Sequence, residues 1–244
     1  MGKGASRTGA DGEFTMKIVV ISDLHANFDA LCALPELGDE LWVLGDLVNY
    51  GPMPAEVVAF VRAHSEVVVR GNHDHAVGFD VDPRCTPRYA EMADSTAQYS
   101  KAALDPDARD YLRGLPLART LVRDGRSFYL CHAIPSNPLY GYCPEDSDLW
   151  AAELKKVDAD FLLVGHTHTP FVRQIGDKTI VNPGSLGQPK TGKADACYAV
   201  WEDGAFALKQ FTYPLQQAVE RIEHMPIPDA VRRDLVKLLR TGAV

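Results

Sequence analysis

The sequence predicts an α/β fold. Three observations carry that reading: short apolar runs recur along the chain, helix-spaced segments lie between them, and polar side chains able to bind a metal follow the runs directly. With 244 residues, 46% hydrophobic and 24% charged, the chain has the length of one large α/β domain and an ordinary globular composition. Met16 to Ile21 is a β-branched core strand that runs into Ser22-Asp23-Leu24-His25. A helix is expected from Phe28 to Leu37, then a strand, Leu41 to Leu44, closing in Gly45-Asp46. Asn49-Tyr50-Gly51-Pro52 reads as a turn, and Pro54 to His64 carries helical spacing in Val57, Val58, Phe60 and Val61. Glu66 to Arg70 is the third strand; the stretch after it, Gly71-Asn72-His73-Asp74-His75, reads by itself as a turn. This rhythm implies parallel pairing with right-handed crossovers. Open α/β sheets collect ligands outside the carboxyl ends of such strands.

From Gly78 to Pro116 the pattern changes to a helical insertion over those ends, with helices near Tyr89 to Ala103 and Asp107 to Arg113. Its Phe79, Tyr89 and Tyr99 either pack the helices or stack on a substrate base. Ala118 to Arg123 and Ser127 to Cys131 form a hairpin that leads into His132. A loop from Ile134 to Pro144 precedes a helix expected over Glu145 to Val157, capped by Asp146 or Ser147. The strand Phe161 to Val164 ends in Gly165-His166-Thr167-His168. A second hairpin, Phe171 to Ile175 with Thr179 to Val181, leads to Asn182-Pro183-Gly184-Ser185; strands near Cys197 to Trp201 and Phe206 to Phe211 and two amphipathic helices follow. Met1 to Thr15 is expected to be a disordered leader or tag, with residues 16–244 forming a single domain.

Net charge of -8 argues against an extended nucleic-acid surface, which would need clustered Lys and Arg. A small phosphorylated substrate stays compatible, since bound cations can supply positive charge locally. No apolar run reaches the ~20 residues of a membrane span. Five widely spaced cysteines form no Cys-x-x-Cys pair, which suits a reducing cytoplasm.

The strand ends together supply Asp23, His25, Asp46, Asn72, His73, His132, His166 and His168. Each has a plain alternative: Asp23 as a helix cap, His25 as a surface imidazole. Their joint placement points to a metal site. Imidazole and carboxylate without thiolate suit Mn, Fe, Zn, Co or Ni better than calcium. In an extended segment Asp23 and His25 would point to one side and grip one ion.

The ordered run Asp23-x-His25, Gly45-Asp46, Gly71-Asn72-His73-Asp74, His132 and Gly165-His166-x-His168 resembles the calcineurin-like metallophosphoesterase superfamily. Gly45 to Pro52 and Asn182 to Pro189 resemble its small prokaryotic phosphodiesterases. The resemblance implies two β-sheets sandwiched between helices, in four layers. It implies two divalent ions, Mn foremost: one on Asp23, His25, Asp46 and His168, the other on Asp46, Asn72, His132 and His166. It further implies hydrolysis of phosphodiester bonds of small or nucleotide substrates by in-line attack of a metal-bound hydroxide, with His73 as proton donor or transition-state contact. Asn49 and Tyr50 stand where the protein phosphatases of the superfamily carry an Asp and an Arg. Asn49 is expected to orient His73, and Tyr50 to meet the substrate. Without the bidentate Arg, a diester is favoured over a dianionic monoester. The competing expectations are a phosphomonoesterase, nucleotidase or protein phosphatase, and an inactive binding scaffold of the same fold. Lys190 and Lys193 either meet a substrate phosphate or, as is more usual in Gly/Lys-rich loops, are solvated, and solvation is expected; Asn182 and Ser185 are expected to brace the loop behind His166 and His168.

Overall fold

The computed structural model describes residues 16–243, so the expectation for Met1 to Thr15 lies outside the described residues. One five-stranded sheet contains β1 (Ile18–Ile21), β2 (Glu40–Val43), β3 (Val67–Val68), β9 (Ala196–Glu202) and β10 (Ala205–Phe211), in the order β10-β9-β1-β2-β3. The other contains β4 (Ala118–Arg123), β5 (Arg126–Cys131), β6 (Phe161–Leu163), β7 (Phe171–Ile175) and β8 (Lys178–Asn182), in the order β4-β5-β6-β8-β7. The pairs β1/β2, β2/β3, β5/β6 and β6/β8 are parallel, and the hairpin partners are antiparallel.

The strand period of two sorts the apolar side chains into layers. Ile18, Val20, Trp42 and Leu44 face Phe128, Leu130, Leu163 and Val181 of the opposite sheet, joined by Trp201. The intervening Val19, Ile21, Leu41 and Val43 face the helices on the outer side. On the second sheet Leu162, Val164 and Ile180 pack against Trp150 and Leu154. Continuous apolar runs are what a sheet covered on both faces requires. The result is the expected four-layer sandwich.

The helices are α1 (Phe28–Cys32), α2 (Pro54–His64), α3 (Asn72–Phe79), α4 (Pro87–Ala103), α5 (Pro106–Gly114), α6 (Trp150–Leu154), α7 (Leu215–Glu223) and α8 (Asp229–Thr241). None is long and apolar enough to cross a membrane. The insertion helix α4 buries Met92 and Ala93 against α7 and α8, which fixes it beside the strand ends.

Three local expectations are corrected. The first helix stops at Cys32, not Leu37, because Leu34 precedes Pro35 and is pushed out of helical geometry. The helix expected over Glu145 to Val157 is only Trp150–Leu154, with Leu149 and not Asp146 or Ser147 at its N-cap. The Arg173 guanidinium takes the carbonyls of Glu145 and Ser147, removing them from any helical ladder. The stretch from Asn72 is not a turn but the first turn of α3. Asp74, at its third position, accepts from the Gly71 N–H at 3.0 Å and so caps the helix.

Candidate metal centre

The strands β1, β2, β3, β5 and β6 end on one side of the sandwich, and their next residues leave regular geometry together. Asp23, His25, Asp46, His166 and His168 all have positive φ, between 45° and 65°, as do Asn49 and Tyr50 at 68° and 63°. Non-glycine residues rarely hold that conformation, and clusters of it mark functional sites. Asp23 and His25 therefore do not share a side through an extended backbone; the left-handed turn brings them together. The two turns hold each other by backbone bonds: Asp23 N–H donates to Gly45 O at 3.0 Å and His25 N–H to Asp46 O at 2.9 Å. Gly71 must be glycine here, since a Cβ would lie 2.1 Å from Oδ1 of Asp46.

Two groups of donor atoms result, Asp23 with His25 and His168, and Asp46 with His132 and His166. Oδ2 of Asp46 lies 3.2 Å from Nε2 of His132 and 3.9 Å from Nε2 of His25, between the groups. Oδ1 of Asn72 is 3.1 Å from Nε2 of His132. Every metal-ligand candidate from the sequence thus converges.

The hydrogen bonds around the imidazoles show what the centre demands. Nδ1 of His25, His132 and His168 faces a backbone carbonyl, of Val48, Leu44 and Gln188 at 3.2, 2.8 and 2.6 Å. A carbonyl only accepts, so each Nδ1 carries a proton, and wherever the ring is neutral, as at His25, a bare Nε2 lone pair turns inward. His25 Nε2 and His168 Nε2 then oppose each other at 3.1 Å. Asn72 donates its Nδ2–H to Pro83 O at 3.0 Å, which turns its oxygen onto the His132 nitrogen. Oδ1 of Asp23 is buried without a donor. Such an array is stable only around positive charge. Donors on metal bonds of about 2.1 Å at right angles sit about 3.0 Å apart, close to these separations. The residues fit divalent cations.

Electrostatics agree. Burial would push the Asp46 carboxyl up, but the His132 and His73 imidazoles hold it well below the usual carboxylate range. Burial also opposes charge on His132, yet Asp46 beside it prevails and brings the ring up to about 9. Burial together with neighbouring imidazoles lowers His25 and brings His166 to about 3. The protein thus offers ionised carboxylates and neutral imidazoles at His25 and His166, while His132 holds on Asp46 a proton that a bound cation would displace.

His73 stands beside this centre. Asn49 donates its Nδ2–H to Nδ1 of His73 at 2.7 Å, so the neutral ring carries its proton on Nε2. Burial brings its pKa down to about 4. Tyr50, expected to meet substrate, is 5% exposed and lies edge-on to His25 and tilted against His73, with ring centroids 4.8 and 4.9 Å away. That is the setting of a packing residue. Phe79 lies against His75, and Tyr99 donates to Pro52 O at 2.7 Å, so neither is oriented by the centre. Ser185 donates its hydroxyl to Asp23 O at 2.7 Å, and Asn182 donates to Gly165 O at 2.8 Å, tying the loop before Lys190 to the strand ends.

Three further side chains stand at the centre. The Cys85 sulfur lies 3.6 Å from Nε2 of His73. Asp74 is fully buried and accepts from Asp46 N–H and Leu47 N–H, both at 2.8 Å, besides Gly71. Burial and the Asp46 carboxylate push its own carboxyl up, against these donors. Lys190 is partly buried with its ammonium 4.9 Å from the Tyr89 ring, correcting the expectation that it is solvated; Lys193 is exposed. The residue types allowed either outcome, and only the folding of the 182–190 loop against α4 separated them.

A two-sheet sandwich with histidine, carboxylate and amide donors gathered at its strand ends defines a metallohydrolase. Residues 16–203 match the calcineurin-like phosphoesterase superfamily domain, and the chain belongs to that superfamily, as a metal-dependent phosphoester hydrolase. It is 29% identical over 239 residues to an uncharacterized protein of Methanocaldococcus jannaschii, covering 87% of this chain and 94% of that one. It is 39% identical over 178 residues to the symmetrical bis(5'-nucleosyl)-tetraphosphatase of Nitrosococcus oceani, a match spanning 68% of this chain and 58% of the relative. The crystal structure of a metallophosphoesterase from Sphaerobacter thermophilus superposes with a TM-score of 0.78 at 26% identity, covering 92% of this chain and 99% of that one.

Proposed function

We propose that the protein is a two-metal phosphodiesterase acting on small nucleotide substrates, with Mn the favoured ion. One ion would be held by Asp23, His25, Asp46 and His168, the other by Asp46, Asn72, His132 and His166, with Asp46 shared. The observation that carries this reading is the inward donor array, the Nε2 atoms of His25 and His168 against each other and the Asn72 oxygen against Nε2 of His132, each locked by a hydrogen bond on its far side. When bound, such a pair of ions neutralises the phosphoryl oxygens and lowers the pKa of water toward neutrality.

The chain's own residues supply the remainder. His73 carries its proton on Nε2 and offers it as a hydrogen bond to the leaving-group oxygen, stabilising the charge that develops there, while solvent supplies the proton that the departing alcohol or phosphate finally carries; Asn49 holds the ring in that tautomer. Asn49 is neutral and Tyr50 is buried, so this part of the site has no guanidinium for a dianionic monoester, which supports a phosphorus bearing substituents on both sides. The tetraphosphatase relatives support a nucleotide of that kind. Five unpaired thiols support a reducing, cytoplasmic setting.

The test uses protein stripped of metal and reloaded with Mn(II), assayed on bis(p-nitrophenyl) phosphate, p-nitrophenyl phosphate and bis(5'-adenosyl) tetraphosphate. Turnover should require metal, and kcat/KM should be higher for the doubly substituted phosphates. Hydrolysis of the monoester alone would overturn the diester preference, and no metal-dependent hydrolysis of any of the three would overturn the enzyme reading in favour of a scaffold.

A further inference from the structure

We infer that Lys190, seated on the Tyr89 ring, is a binding residue for a second phosphate next to the one that reacts, so that the site selects substrates with a phosphoanhydride chain. This rests on the metal-centre reading above and adds the substrate class to it.

The ammonium is in an unusual position for a lysine. Among the described residues it has no ion-pair or hydrogen-bond partner; its neighbour is the Tyr89 face, 4.9 Å away. A lysine on a Gly/Lys-rich loop ordinarily extends into water, since desolvating an unpaired ammonium is costly. Here the chain is steered inward. Ser185 donates to Asp23 O, the Gln188 N–H donates to Ser185 Oγ at 2.8 Å, and Gln188 O accepts from Nδ1 of His168. The segment carrying Lys190 is therefore bonded to the metal centre two residues before the lysine. Tyr89 stands opposite, in the first turn of α4, whose Ala93 carbonyl and Ser100 hydroxyl touch Asn49. Cation and ring meet between the two walls that also position His168 and Asn49.

The ammonium feels Asp23, Cys85 and Asp46, and in turn depresses His73. It thus stands close enough to the centre for its charge to reach His73. Ions bound at Asp23 and Asp46 would reverse the sign of that surrounding field, leaving a partly buried cation beside further cations. Only an anion relieves this, and its place is beyond the reacting phosphorus. A simple diester such as bis(p-nitrophenyl) phosphate has no second anion to offer. Inorganic pyrophosphate and dinucleoside polyphosphates do.

Binding tests this apart from turnover. Isothermal titration of the Mn(II)-loaded protein with pyrophosphate and with orthophosphate should show Lys190→Met weakening pyrophosphate at least tenfold and orthophosphate less than threefold. Lys190→Arg should restore most of the pyrophosphate affinity, and Lys193→Met should change neither. In assays, Lys190→Met should raise KM for bis(5'-adenosyl) tetraphosphate at least tenfold, with bis(p-nitrophenyl) phosphate within threefold of wild type. Equal losses for both anions, or no loss for pyrophosphate, would overturn the inference. Failure of the wild-type protein to take up metal would instead overturn the parent reading.

Discussion

Asp74 offers the sharpest test of how the centre is built. Its carboxylate takes three buried backbone N–H groups, from Gly71, Asp46 and Leu47, at 3.0, 2.8 and 2.8 Å. These bonds join the end of β2 to the start of α3 and hold Asp46 in its left-handed turn, φ 54°. Asp46 in turn accepts the His73 N–H through Oδ1 at 2.9 Å, leaving Oδ2 turned toward Nε2 of His132. Replacing Asp74 with Ala would orphan all three donors at a cost of about 1–3 kcal/mol each if none were resatisfied. Water entering so polar a cavity would recover part of that, so a loss of about 3–5 kcal/mol is expected, a large share of a typical stability of about 5–15 kcal/mol. Asp74→Asn keeps the volume and one acceptor oxygen but turns an N–H toward donors, so an intermediate loss of about 2–3 kcal/mol is expected. Urea unfolding followed by tryptophan fluorescence measures both; Trp42, Trp150 and Trp201 are all buried and report on the core. Titration with Mn(II) should show the Asn variant binding metal more weakly, because the shared ligand loses its mooring. Losses below about 1 kcal/mol for Asp74→Ala, with unchanged metal affinity, would refute the reasoning.

Three further outcomes are expected. His73→Ala should retain its metals by elemental analysis while turnover falls by ~10²–10⁴-fold; turnover within threefold of wild type would remove His73 from the reaction. Gly187→Ala should lower Tm sharply and impair metal uptake, because the new Cβ would lie 1.8 Å from the Leu24 carbonyl oxygen, between Asp23 and His25; an unchanged Tm would contradict it. Glu36 is partly buried, which opposes its charge, but Lys209, Lys17 and Tyr198 prevail and bring its carboxyl from 4.5 to about 2. A lowered carboxyl stabilises the fold above the unfolded value and loses that contribution as pH falls through the folded one. Glu36→Gln should therefore cost about 1 kcal/mol at pH 7, after solvent screening, with the difference shrinking below 4.5 and vanishing near 2. A urea midpoint difference independent of pH would count against it.

Much of the centre is legible in the chain because parallel strands deliver their carboxyl ends to one edge. Once Ile18–Ile21 and Glu40–Val43 are recognised as neighbouring core strands, Asp23 and Asp46 must lie together, while His166 follows a strand of the other sheet and joins them only through the packing of the two sheets. The local geometry was less legible. Asp23 and His25 meet through left-handed residues, and propensity gives no signal for strain that only the surrounding bonds stabilise. The helix at Asn72 was hidden for a related reason: its cap is Asp74, whose other partners lie on β2, so the carboxylate serves a long-range contact as much as a local one.

By itself the sequence determined the α/β class and the residue types of the metal centre, because the first follows from apolar runs alternating with helix-spaced segments and the second from the chemistry of what ends those runs. Tertiary structure alone decided which of two lysines turns inward, which tautomer each imidazole carries, and which carboxylate secures the shared ligand. Those outcomes depend on carbonyls, rings and N–H groups brought together from distant parts of the chain, whose pairing no local pattern encodes.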